Sequence, residues 1–237
     1  MRIPFVAVEP NAQSCSDCVA RQFGVCAALD EKEMDEFERM SRHVHFATCE
    51  TVFAQEDVTA SFYNVLEGVL RLYKLLPDGR RQIVGFALPG DFLGMTTAGR
   101  HDFSADAIGP VTICQFSKAT FARFAQDRAS LLRRINELAV RELNLARDHM
   151  VLLGRRSAEE KVATFLVGWR DRLSQLKAAS DMVPLPMSRQ DIADYLGLTI
   201  ETVSRTFTKL EREGVIEIIP GGICLLDAAR AEALAAA

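Results

Sequence analysis

The sequence predicts an α+β chain in three successive parts: a small antiparallel β-roll of the jelly-roll kind, one long helix, and a winged helix-turn-helix. Three observations carry this. Short apolar or alternating runs, broken by turn residues, crowd between Val44 and Phe116. The stretch Ala129 to Leu153 keeps a helical apolar period without interruption. Two short helical patterns meet at Gly197 within Ser188 to Phe207, and a hairpin pattern follows them.

Along the roll, runs at His45–Phe46, Thr51–Phe53, Phe62–Leu66, Val69–Leu75, Gln82–Phe86, Phe103–Ala107 and Val111–Phe116 read as strands. Turns at Glu67-Gly68, Pro77-Asp78-Gly79, Pro89-Gly90-Asp91 and Gly109-Pro110 separate them. A short amphipathic helix over Asp30 to Met40 precedes the roll, with Met34, Phe37 and Met40 on one side, and Ser117 caps another after it.

The long helix carries two apolar stripes. One is Leu132, Ala139, Leu143, Ala146, Met150 and Leu153; the other is Leu131, Ile135, Leu138, Leu145 and Leu152. That is more apolar width than one domain covers, so one stripe packs on the roll and the other on a second copy of the chain, as a parallel coiled-coil homodimer. Leu132, Ile135, Ala139, Leu143, Ala146, Met150 and Leu153 are the expected dimer contacts. The hinge is placed at Gly154 to Ser157, and Ser157-Ala158-Glu159-Glu160 forms a capping box that opens the next helix, through Val162, Phe165, Leu166 and Trp169. The expected boundaries are 1–29 for a cysteine-rich segment, 30–128 for the roll, 129–154 for the dimer helix and 155–237 for the winged helix-turn-helix. Asp181 to Pro186 reads as an extended linker and the alanine-rich end as frayed.

In the helix-turn-helix, Ile192, Ala193 and Leu196 make the apolar stripe of the first helix. Gly197 suits a left-handed residue that ends it, and Thr199 caps the second helix. Val203 and Phe207 face the first helix. Glu201, Ser204 and Arg205 project together from the opposite face at i, i+3, i+4. Glu accepts from cytosine N4, Ser contacts several bases, and Arg binds guanine O6 and N7 bidentately, so these three are the candidate readers of double-stranded DNA. Val215–Ile219 and Ile223–Leu226 flank Pro220-Gly221-Gly222 as the wing.

The net charge of −4 offers no general field for nucleic acid, so DNA binding rests on that local face. No run approaches the roughly 18 apolar residues of a membrane span, and the N-terminus is too short and too weakly basic for a signal peptide. The chain is expected in the cytoplasm, where cysteines stay reduced. Three of its six cysteines fall within twelve residues as C-x2-C-x7-C: Cys15, Cys18 and Cys26. Thiolates so spaced turn onto one metal centre, with Gly24 freeing the backbone before the third. They leave a tetrahedral zinc site or an iron–sulfur cluster one ligand short. Cys49, Cys114, Cys224 or a non-cysteine group must supply the fourth. No active-site pairing or glycine-rich phosphate loop suggests an enzyme.

The order of parts resembles the catabolite activator protein family, and the cysteines resemble its oxygen-sensing FNR branch. The resemblance covers nearly the whole chain. It rests on Gly90-Asp91-Phe92-Leu93-Gly94, on Ala158-Glu159-Glu160, on Asp191-Ile192-Ala193-Asp194-Tyr195-Leu196-Gly197-Leu198-Thr199, and on Glu201-Thr202-Val203-Ser204-Arg205. The x7 spacing before Cys26 is similar to a variant in FnrN- and FixK-like regulators of microaerobic and nitrogen-fixation genes. The resemblance implies a [4Fe–4S] cluster held by Cys15, Cys18, Cys26 and Cys114, the last from Val111-Thr112-Ile113-Cys114-Gln115-Phe116. It also implies oxygen control of a homodimer on a palindrome of TTGAT type, and a contact with RNA polymerase around Asp78 to Arg81. Cys49 and Cys224 match no ligand position and are expected to pack ordinarily. Nucleotide-binding members place an arginine before a Ser or Thr; here Phe103 stands before Ser104, so no cyclic nucleotide is expected. The rival reading keeps the fold but gives the cysteines structural zinc or direct thiol redox chemistry.

Overall fold

The computed structural model describes Cys15, residues 18–176 and residues 180–236. The chain divides into two compact units, one ending at Asn144 and the other beginning at Leu145.

The first unit opens with two 3-10 turns, Val19–Gln22 and Val25–Ala28, then helix α1, Glu31–Met40. Asp30 caps α1 through a full capping box with Glu33, with hydrogen bonds of 2.8 and 3.1 Å. Such a cap stabilises the helix by about 1 kcal/mol. Eight strands follow: β1 Ser41–Phe46, β2 Thr51–Phe53, β3 Ser61–Glu67, β4 Leu70–Leu75, β5 Arg81–Ala87, β6 Phe92–Leu93, β7 Ser104–Ala107 and β8 Val111–Ser117. They form two antiparallel sheets, in the orders β1-β8-β3-β6 and β2-β7-β4-β5. Phe53, Tyr63, Val65, Leu70, Ala105, Val111 and Ile113 fill the space between them.

Strand alternation sends the other set of side chains outward. From β3 and β8, Phe62, Leu66, Cys114 and Phe116 join Met34 and Phe37 of α1 in a second core. Phe121 and Phe124 of α2, Lys118–Ala125, complete it, together with Leu131 and Leu138. The Phe37 and Phe116 rings lie 4.4 Å apart between centroids. Truncating either to Ala removes a fully buried ring, a change of about 3–5 kcal/mol.

Helix α3, Ala129–Arg155, runs through Gly154, so the helical break shrinks to Arg156 and Ser157. Its two stripes differ in exposure. Leu131, Leu138 and Leu152 are buried, whereas Leu132, Leu143 and Met150 are 49%, 49% and 64% exposed. Ile135, expected on the dimer face, is half-buried and packs against the second core of its own unit. Leu153 is also half-buried, and a Cβ on Gly197 would sit 3.2 Å from its Cδ2.

In the second unit the expected box at Ser157 caps α4, Ala158–Leu176, with Ser157 N–H donating to Glu160 at 2.8 Å. Lys161 is buried, and its Nζ donates to the carbonyls of Leu153 at 3.1 Å and Leu196 at 3.2 Å. One ammonium thus satisfies carbonyls at the ends of two helices, where a cation also suits the helix dipole. The expected linker contains a strand, β9 Met182–Pro184, which pairs with β11, Gly222–Leu225; β11 in turn pairs with β10, Ile216–Ile219. The wing therefore has three strands. The C-terminal end is a further correction: Ala228–Ala236 forms helix α7, seated by buried Ala231 and an Arg170–Glu232 ion pair at 2.8 Å.

Candidate metal centre and nucleic-acid interface

The recognition face is built by its caps. Ser188 and Asp191 form a full capping box at the start of α5, Arg189–Leu196. Gly197 ends α5 at φ +62°, where L-residues are strained. Thr199 Oγ1 then accepts from Thr202 N–H at 3.2 Å and starts α6, Ile200–Arg212. Val203, Phe207 and Leu210 are buried, and the Arg189 guanidinium lies 3.3 Å over the Phe207 ring. Glu201, Ser204 and Arg205 all face solvent on α6. The backbone N–H of Glu201, the Thr199 hydroxyl and Arg205 hold the Glu201 carboxyl below the usual carboxylate range. It is ionised at neutral pH, as an acceptor for a base amine must be. Lys209, one turn on, is engaged by Glu159.

The cysteine site lies in the first unit. Cys15, Cys26 and Cys114 are buried and belong to one core cluster, and Cys18 is half-buried beside them. Burial raises every one of these thiols: Cys15 to about 11, Cys26 to about 12, Cys18 and Cys114 also upward. The second cause for Cys114 is Cys15, then Cys26 and Cys18, so the segment and the strand cysteine lie within electrostatic reach of one another. Among the described residues, no three Cys, His, Asp or Glu are gathered tightly enough to hold a single metal ion. Cys49 is exposed at a left-handed turn position, φ +67°, rather than packed, and Cys224 is half-buried on β11.

Backbone contact seats the cysteine segment on the roll. A methyl group on Gly24 would come 2.8 Å from Asn64 Oδ1 and 3.1 Å from the Gly90 carbonyl oxygen. Gly90 itself has φ +94°, and its own Cβ would lie 2.6 Å from Phe23 Cβ. Gly24 therefore serves close approach; its φ of −89° is open to any residue. Arg134 of α3 adds a link the sequence did not reveal. Its guanidinium donates to the carbonyls of Phe23 at 2.7 Å and Gly24 at 3.2 Å, and it pairs with Glu137 at 3.2 Å.

A β-roll, a long helix with a bare apolar stripe and a winged helix-turn-helix together define a DNA-binding transcription regulator. The family model for bacterial regulatory proteins, crp family, matches residues 185–216, and that for the cyclic nucleotide-binding domain matches residues 43–128. The nitrogen fixation regulation protein FixK of Bradyrhizobium diazoefficiens is 73% identical over 237 residues, all of both chains. The transcriptional activatory protein AadR of Rhodopseudomonas palustris is 59% identical over 220 residues, 93% of this chain and 92% of that one. The solved structure of FixK2 from Bradyrhizobium japonicum superposes with a TM-score of 0.77 at 37% identity, covering 83% of this chain and 98% of that chain. The chain belongs to the CRP/FNR family of bacterial transcription regulators, and it is strongly similar to FixK. Its relatives are regulators rather than enzymes. Among the described residues, no helix is long and apolar enough to cross a membrane.

Proposed function

We propose that this regulator senses oxygen through a [4Fe–4S] cluster held by Cys15, Cys18, Cys26 and Cys114, and binds palindromic DNA as a homodimer to control nitrogen-fixation or microaerobic genes. The observation that carries the reading is that Cys15 and Cys26 share one buried core cluster with Cys114 of β8, with half-buried Cys18 within electrostatic reach. A zinc ion at about 2.3 Å from each sulfur would draw four thiolates to roughly 3.8 Å of one another. Four cysteine thiols are also the donor set that a [4Fe–4S] core takes. When bound, the cluster supplies an oxidisable centre that dioxygen dismantles.

The chain's own residues carry the rest. Arg134 holds the carbonyls of Phe23 and Gly24, so an ordered cysteine segment fixes the face that α3 offers to a second copy. Leu132, Ala139, Leu143, Ala146 and Met150 line the bare stripe for that contact. Dimerisation sets two α6 helices about one DNA turn, roughly 34 Å, apart on a palindrome. Glu201, Ser204 and Arg205 read each half-site. No cyclic nucleotide enters this scheme: Arg71 is engaged by Asp106 at 3.2 Å, Arg100 by the Glu56 carbonyl at 2.6 Å, and Phe103 packs against the roll interior.

The deciding measurement is iron, acid-labile sulfide and zinc per chain on protein purified without oxygen, with absorption spectra before and after air. About four iron and four sulfide, with absorbance and DNA affinity lost together in air, is the expected result. One zinc and no iron, with air-insensitive DNA binding, would overturn it.

Three further outcomes are expected. Arg205→Ala weakens specific binding by about 1–3 kcal/mol and relaxes selectivity at its guanine in a competition assay; uniform weakening on all sequences would make Arg205 a phosphate contact. Arg134→Ala leaves iron content unchanged but weakens oxygen-free DNA binding by about 5-fold to 100-fold, the range of a typical coupling energy; unchanged affinity would remove Arg134 from the coupling. Asp78, paired with Arg80 at 2.7 Å, belongs to the exposed turn assigned to RNA polymerase. Asp78→Ala together with Arg80→Ala is expected to lower in vitro transcription at unchanged operator affinity, and full transcription would free the turn of that role.

A further inference from the structure

Among the described residues, the buried Asn64 side chain has no hydrogen-bond partner. It sits on β3 opposite Cys114 of β8 and Phe92 of β6. Paired residues of an antiparallel ladder project from the same face, so the Asn64 amide and the Cys114 thiol rise side by side. Phe62 and Leu66, two residues either side of Asn64, point into the core that holds Cys15, Cys26 and Cys114. Asn64 is 1% exposed, and neither its Oδ1 nor its Nδ2 has a hydrogen-bond partner among the described residues. Gly24, between Cys18 and Cys26, lies directly on the amide, as the 2.8 Å approach of its would-be Cβ to Oδ1 shows. An unmet carboxamide at this depth is destabilising. An apolar residue among Phe62, Leu66 and Phe116 would avoid that cost.

We infer that Asn64 is a positioning residue for the iron–sulfur site, its Nδ2–H donating a hydrogen bond to a sulfur of the bound centre. This rests on the cluster reading above and deepens it. Anionic sulfur is the acceptor that the neighbouring cysteines would bring, and a carboxamide carries two donors for it. Donors outside the ligand set orient the ligands, and hydrogen bonds to sulfur set the potential of such centres. A donor favours the more reduced, more negative state, so Asn64 raises the reduction potential and slows iron loss.

The test uses full-length protein loaded without oxygen, comparing wild type with Asn64→Leu and Asn64→Asp. The first variant removes the donor and fills the space. The second keeps the shape but presents, when ionised, acceptors only. Each variant is measured for iron per chain, midpoint potential and the rate of iron removal by an anaerobic chelator. The expected order of potential is wild type, then Asn64→Leu, then Asn64→Asp, with iron removal about tenfold faster in the variants. Variants that differ from wild type only in folding stability, with the same potential and stripping rate, would reduce Asn64 to packing and overturn the inference alone. If Asn64→Leu fails to fold, the near-isosteric Asn64→Asp decides the question. Wild-type protein without iron would overturn the cluster reading, and this inference with it.

Discussion

A Cys114→Ser chain isolated without oxygen is expected to hold less than about a tenth of the wild-type iron while keeping its fold. Structural and redox metal centres need deprotonated thiolate ligands, and a serine hydroxyl does not replace one. Cys114 is the one cysteine of the site that the sheet holds in place, fixed between β1 and β3 through His43 and Asn64. The other three arrive on a segment of short turns and depend on that anchor. The change in the sheet is small: a hydroxyl in place of a thiol at a buried position costs roughly 1–3 kcal/mol. Iron analysis beside far-ultraviolet circular dichroism separates the two effects. Full iron in this variant would move the fourth ligand elsewhere. Cys49 is a poor replacement, since it is exposed on the turn between β1 and β2.

The second large effect belongs to the bare stripe of α3. Leu143→Glu is expected to raise the dimer dissociation constant by on the order of a thousandfold or more. Two leucines, one from each copy, lose burial worth about 1.5–3 kcal/mol apiece, and two carboxylates then face each other. Sedimentation equilibrium in the absence of oxygen measures it, and an unchanged constant would take Leu143 off the interface. Ile135→Glu is the control, because it puts a charge into the core of its own unit and lowers the unfolding midpoint instead.

The helix-turn-helix was legible because its instructions are local. Gly197 after Leu196 and Thr199 before Ile200 specify an end and a start within three residues, and both caps form as written. The strands of the roll were legible to within a few residues for the same reason: glycine and proline punctuate them. What escaped the sequence depends on distant partners. β6 is two residues long, and β9 is a strand only because β11 lies beside it. The final helix has little periodicity of its own; it is held by Arg170 and by contacts with α4. Ile135 could not be assigned to one stripe, since both stripes are apolar and only packing divides them. The C-x2-C-x7-C spacing drew attention to the cysteines but not to their surroundings. Neither Arg134 nor Asn64 belongs to a motif, and each gains meaning only through the backbone it meets.

The buried ammonium of Lys161 ties two helix ends of the second unit to each other. It binds the last carbonyls of α3 and of α5 together. Beside it the His149 ring stacks on Tyr195 at 4.2 Å, and its Nε2 meets the Tyr195 carbonyl at 2.8 Å. The break at Arg156 and Ser157 is therefore bridged on its flank. The last turns of α3 and the end of α5 are thus held as one piece, with α6 packed against α5. Removing the Lys161 amine would leave the Leu153 and Leu196 carbonyls without that donor and free the two helix ends from each other.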